Sequence, residues 1–181
     1  MEDRLEDRNE DSLILHTTFN IDGHETKAMI IGDSTFEVLR DIVNISKNHN
    51  KFEKLRWDIY DIPHHCSYLA LSDDKGKDIT DPIPEVEWLL SQGGSRGKLI
   101  SCSDVIPDND KNTQPPHRQA ANYYKEVANK INGEFIVTME YPQKTDPKQL
   151  TITIDKWGAT IQRIISGGGS TAATSRPPRA G

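Results

Sequence analysis

Two apolar, strand-like runs in this chain stop abruptly at residues able to ligate a metal. Thr26 to Ile31 gives way to Gly32-Asp33, and Trp57-Asp58-Ile59-Tyr60-Asp61-Ile62 is halted by Pro63 ahead of His64-His65-Cys66-Ser67. Asp33 and His65 lie 32 positions apart. A carboxylate and an imidazole at two neighbouring strand ends can converge on one cation of the hard-to-borderline kind, such as Zn²⁺. The chain holds no His-x-His pair, so the pattern reads as half of a metal site.

The rest of the chain supplies alternating signals. Ser12 to Ile21 has strand composition, Asp22-Gly23 marks a hairpin turn, and Thr26 to Ile31 returns. Ser34 with Glu37 three positions on fits a capping box, and Phe36, Leu39, Ile42, Val43 and Ile45 recur at helical spacing as far as Asn48. Pro82 and Pro84 open a short helix with Val86, Trp88, Leu89 and Leu90 on its apolar side, ended by Gly93-Gly94. Lys98 to Ser103 is a strand, His117 to Ile131 a helix closed by Asn132-Gly133. Glu134 to Tyr141, Gln149 to Asp155 and Ala159 to Ile165 are strands. This order predicts a layered α/β domain over residues 12–165 with an antiparallel component at both ends. The mixed-charge run 1–11 is expected to be a solvated lead-in, and the Gly/Ser/Thr/Pro-rich tail 166–181 a disordered end.

Bulk properties bound the function classes. A length of 181 residues suits one domain, and a hydrophobic share of only 34% fits solvated ends around it. The net charge of −6 disfavours non-specific attraction to nucleic acid or anionic membrane, although a local basic patch would override that average and leaves nucleic-acid binding undecided. No apolar run approaches the roughly 20 residues needed to span a bilayer. Met1-Glu2-Asp3-Arg4 is too charged for a signal peptide. Cys66 and Cys102, without CxxC spacing, read as free thiols of a reducing compartment and as buried small hydrophobes. A cytoplasmic protein is expected.

The succession Ser12-Leu13-Ile14-Leu15, hairpin, Ile30-Ile31-Gly32-Asp33, helix, Asp58 to Ser67 resembles the second half of metallo-β-lactamase-fold hydrolases, closest to the ComEC/Rec2-related branch. Lys98 to Ser103 followed by Pro116-His117-Arg118 is similar to that branch's later strand and Pro-His helix start. The resemblance covers roughly residues 11–160. It implies a four-layer αββα fold of which this chain supplies one half, a mixed sheet with flanking helices. It also implies a two-zinc site in the complete domain, with Asp33 bridging the ions and His65 ligating the second. His64 would contact substrate, and His117 would lie at the edge of the site. Cys66 stands where the branch has Gly, and the upstream His-x-His-x-Asp-His ligands are absent.

The implied activity is hydrolysis of a phosphodiester or another phosphoryl compound by a metal-activated water. Asp33 and His65 alone fall short of the three protein ligands of a catalytic zinc site. An upstream half, on the same polypeptide or from a partner chain, would complete it. The alternative is a non-catalytic binding or scaffolding module that self-associates or holds a partner. Taken singly, Asp33 reads as a helix cap, the His-His pair as surface and His117 as a helix start. The tail also superficially resembles substrates of ubiquitin-like conjugation enzymes, which need an accessible terminal glycine such as Gly181.

Overall fold

The computed structural model describes residues 12–109, 111 and 113–162. The lead-in 1–11 and the tail with Gly181 lie outside the described residues. Strands β1 (Ile14–Ile21) and β2 (His24–Ile31) pair antiparallel, closed by the Ile21–His24 rung. Asp22 and Gly23 both take positive φ, at 51° and 86°, the geometry of a two-residue hairpin whose twist matches its strands. The chain then alternates: α1 (Phe36–Asn48), β3 (Trp57–Asp61), α2 (Pro84–Leu90), β4 (Gly93–Ser101), α3 (Arg118–Lys130) and β5 (Glu134–Val137). The five strands form one sheet in the order β1-β2-β3-β4-β5, with every pair after the first parallel. The architecture is α/β, a mixed sheet with flanking helices.

The second antiparallel component is a separate sheet. Strands β6 (Ile152–Asp155) and β7 (Gly158–Ile161) pair with each other and lie against β1 and β2 without extending the main sheet. The expected strand to Tyr141 is shorter, because the chain turns at Thr138 into a 3₁₀ turn, Thr138–Glu140.

Because the parallel strands follow one another in monotonic order, right-handed crossovers put all three helices on one face. Leu39 and Val43, one turn apart on α1, are fully buried in a core shared with Val86, Leu89, Tyr124 and Val127 of the other helices and Met29, Tyr60 and Leu99 of the sheet. Burying each such aliphatic side chain contributes about 1.5–3 kcal/mol. Tyr123 and Tyr124 belong to this core, while Trp88 is half-buried under the Lys47 ammonium at 4.2 Å.

Two helix boundaries differ from the sequence reading. Thr35, not Ser34, occupies the N-cap position of α1. Its hydroxyl donates to the Glu37 carboxylate at 2.9 Å, and the Ser34 hydroxyl is buried without a partner. Helix α2 ends at Leu90 with Ser91 as its C-cap, and Gly93-Gly94 opens β4. A Cβ at Gly93 would stand 2.6 Å from the Trp57 ring, so this glycine serves close packing and not a helix stop.

The sheet face away from the helices carries an apolar strip at its β1–β2 side. Leu15 and Ile30 are register partners, 46% and 49% exposed, and Leu13 is 71% exposed. Among the described residues no helix is long and apolar enough to cross a membrane.

Candidate metal centre

Parallel strands joined by helices gather their C-terminal ends at one edge, where α/β sheets hold their ligands. Here that edge carries Asp33 two residues beyond β2, Asp61 as the last residue of β3 with His64 and His65 following, and Cys102 immediately after β4.

The His-His turn is built from an uncommon backbone. His64, His65 and Cys66 all take left-handed conformations, with φ of 50°, 51° and 66°. Each costs a non-glycine residue roughly 1–2 kcal/mol. The surroundings hold the turn in place. His64 N–H donates to Gly32 O at 3.1 Å, tying the turn to the end of β2, and Ser67 N–H closes it on His64 O at 2.9 Å. From the far side, His117 N–H donates to Cys66 O at 3.0 Å. The buried Cys66 thiol packs against the Ser101 hydroxyl, and burial pushes it up to about 12. A side chain therefore occupies a position whose φ suits glycine, because that side chain fills the core beneath the turn.

This geometry aims His65 at Asp33. The His65 ring sits 2.8 Å through Nδ1 from the Cys102 carbonyl, which can only accept, so Nδ1 carries the proton. Nε2 then faces Asp33 Oδ1 at 3.4 Å. In a neutral imidazole those two atoms are both acceptors, and a second ring proton or a cation satisfies the pair. Two donors on one tetrahedral zinc, with Zn–N and Zn–O near 2.0–2.2 Å, lie roughly 3.4 Å apart. A backbone carbonyl that fixes the tautomer from behind is the usual support of a metal-ligating histidine. Asp33 and His65 thus fit the same ion. Both side chains are about half exposed, so solvent reaches the pair.

Two neighbours escaped the sequence reading. Asp61 lies beside the Cys102 thiol and the Ile31 backbone. Burial raises its carboxyl above the usual range, and Asp33 adds to the rise, while the polar groups of Cys102 and Ile31 and the His65 ring oppose it. Cys102 is exposed and not, as expected, a buried hydrophobe. The desolvation of its thiol, with the Asp61 charge beside it, pushes it up to about 11. The only sequence signal for both was their place at a strand end.

Burial lowers His64 below the ordinary imidazole value. Asp33 pulls it up and His65 adds to the lowering. Its Nδ1 is buried without a partner. His117 stands at a helix start, as expected, and borders the His-His turn from behind. It is 4% exposed at the N-cap of α3, accepts from Tyr68 N–H through Nδ1 at 3.4 Å and lies 3.3 Å through Nε2 from Thr113 O. Its ring meets Tyr68 edge-on at 5.0 Å. Those contacts anchor the loop behind the turn.

Among the described residues, no group of three or more His, Cys, Asp or Glu side chains is placed to hold a metal ion. Comparison of the chain with protein-family models, curated proteins and solved structures finds no match.

Proposed function

We propose that this chain is the C-terminal half of a metallo-β-lactamase-fold hydrolase of the ComEC/Rec2-related kind, zinc-dependent and directed at phosphodiester or other phosphoryl substrates. The observation that carries the reading is the 3.4 Å separation of Asp33 Oδ1 and His65 Nε2, with the His65 tautomer fixed by the Cys102 carbonyl. Zinc held there lowers the pKa of a bound water to near neutrality and polarises a phosphoryl oxygen. The chain's own contributions are distinct. Asp33 supplies negative charge that binds and orients, and His65 presents one bare nitrogen. His64, held neutral near pH 7 by its burial, adds no positive charge to the site and contacts substrate. His117 holds the turn that carries both histidines.

An upstream half with the His-x-His-x-Asp-His ligands would complete the centre. The exposed Leu13, Leu15 and Ile30 strip supports this, because in a four-layer αββα fold the face away from the helices meets a second sheet. The same strip also favours a second reading, a non-catalytic module whose apolar face binds another copy or a protein partner.

The decisive experiment joins the chain to such an upstream half and measures metal content by mass spectrometry together with hydrolysis of a phosphodiester reporter. About two zinc ions per domain and a hydrolytic rate, both lost in Asp33→Ala, are expected. Hydrolysis that is unchanged in Asp33→Ala overturns the assignment. A stable, metal-free complex through the apolar face leaves the binding-module reading.

A further inference from the structure

At the opposite edge of the sheet, where β3 and β4 begin, a polar cleft of about 460 Å³ opens between Lys27, Arg56, Asp58 and the chain entering β4. Small-molecule sites occupy roughly 300–1,000 Å³. The floor of the cleft is fixed. Lys27 N–H donates to Asp58 Oδ2 at 2.8 Å, and Asp58 Oδ1 lies over Gly94, where a Cβ would collide with it. The Trp57 ring fills the corresponding space beside Gly93, and its indole N–H donates to Leu89 O at 3.1 Å. On the rim, the Gln92 amide nitrogen donates to Trp88 O at 3.1 Å and to Ser91 Oγ at 3.0 Å. The two glycines thus hold the cleft open where any other residue would displace the carboxylate or the ring.

Four charged side chains line this cleft, two of each sign. Lys27 Nζ and Glu25 Oε2 pair at 3.5 Å. Arg56 and Asp58 form no ion pair among the described residues, with each other or with a third group. Arg56 engages a neighbour only through its backbone carbonyl, against His16 Nε2 at 2.8 Å. We propose that the cleft binds a small zwitterion of the free α-amino acid class, its carboxylate on the Arg56 guanidinium and its ammonium on Asp58. A guanidinium fork matches a carboxylate through two parallel hydrogen bonds. A carboxylate held from behind by a backbone N–H keeps lone pairs for an ammonium. A purely anionic ligand would meet Asp58 and Glu25 as like charges, and a purely cationic one would meet Arg56 and Lys27. A ligand bearing both signs leaves neither charge opposed. The site is independent of Asp33 and His65, which stand at the other edge.

The test is a ¹H–¹⁵N NMR titration of the full chain with each proteinogenic L-amino acid, and with butyrate, butylamine and inorganic phosphate as probes of one charge sign. At least one amino acid is expected to shift the Gly93 and Gly94 amides saturably, and every single-sign probe to bind more weakly than it. Arg56→Gln and Asp58→Asn should each weaken that binding by about tenfold or more. Asparagine keeps an oxygen for the Lys27 N–H and Arg56 is exposed, so both variants should retain the native circular dichroism. If Asp58→Asn unfolds, Arg56→Gln decides alone. Binding indifferent to the folded variants overturns the proposal, as does butyrate, butylamine or phosphate binding as tightly as the best amino acid. No saturable shift at Gly93 and Gly94 with any amino acid also overturns it.

Discussion

The Nδ1 proton of His65 is committed to the backbone carbonyl of Cys102, 37 positions away and 2.8 Å distant. A loop after β3 is thereby pinned to the end of β4, and the imidazole has one free nitrogen, facing Asp33.

The backbone strain of that loop gives a stability prediction opposite in sign to its effect on the site. His65 is exposed and sits at φ 51°, ψ 37°. Replacing it with glycine removes a left-handed penalty of roughly 1–2 kcal/mol, offset in part by the greater freedom of the unfolded chain. His65→Gly and His65→Ala both lose the hydrogen bond to the Cys102 carbonyl and the nitrogen that faces Asp33, so of the two the glycine variant should have the higher urea midpoint, by an amount worth about 0.5–1 kcal/mol with an unchanged slope. A glycine variant no more stable than the alanine one would show that the turn is not strained as described.

Two phenolic hydroxyls in the core, those of Tyr60 and Tyr124, are buried without a hydrogen-bond partner. Burial raises both well above the ordinary phenol value, so each stays neutral throughout the physiological range. Deleting a desolvated hydroxyl with no partner recovers about 1 kcal/mol. Tyr60→Phe is expected to be neutral to stabilising in thermal and urea unfolding. A loss of more than about 1 kcal/mol would reveal a partner for the hydroxyl.

Thiol reactivity separates the two cysteines. Both values are raised, Cys66 to about 12 and Cys102 to about 11, so both remain thiols at pH 8 and their thiolate fractions rise only as pH approaches those values. Cys102 should react with a disulfide reagent more slowly than a free cysteine at pH 8, and faster in Asp61→Asn, which removes the neighbouring negative charge. Cys66 should react only on unfolding. Rapid labelling of Cys66 in the native protein would contradict its burial.

The apolar strip is tested by charge. Leu15→Glu and Ile30→Glu, made singly, should alter the stability of the isolated chain by about 1 kcal/mol or less, since each disturbs one cross-strand pair. Both should abolish assembly with the upstream half or a second copy, read by sedimentation. Unimpaired assembly in both variants would exclude this face as the interface.

Much of this architecture was readable where local chemistry decides it. Asp22-Gly23 has the backbone freedom for a two-residue turn, and Pro63 cannot prolong a central strand, so β1, β2 and β3 emerge within a few residues of their limits. The errors arose where distant residues decide. Gly93-Gly94 resembles a helix stop until the Trp57 ring is placed against it, and Ser34 loses its capping role because burial removes it from the helix end. Asp33 and His65 could be picked out because each ends an apolar run. Asp61 and Cys102 could not, because they come together only through the β3–β4 register, which no short-range pattern encodes.

Every side chain of the candidate centre lies at or beyond the last paired residue of its strand, while Leu39, Tyr60, Leu99 and Tyr124 hold the layers together below. Chemistry and cohesion are thus borne by separate tiers of the molecule. The upper tier can be rewritten residue by residue while the lower tier continues to specify the same scaffold.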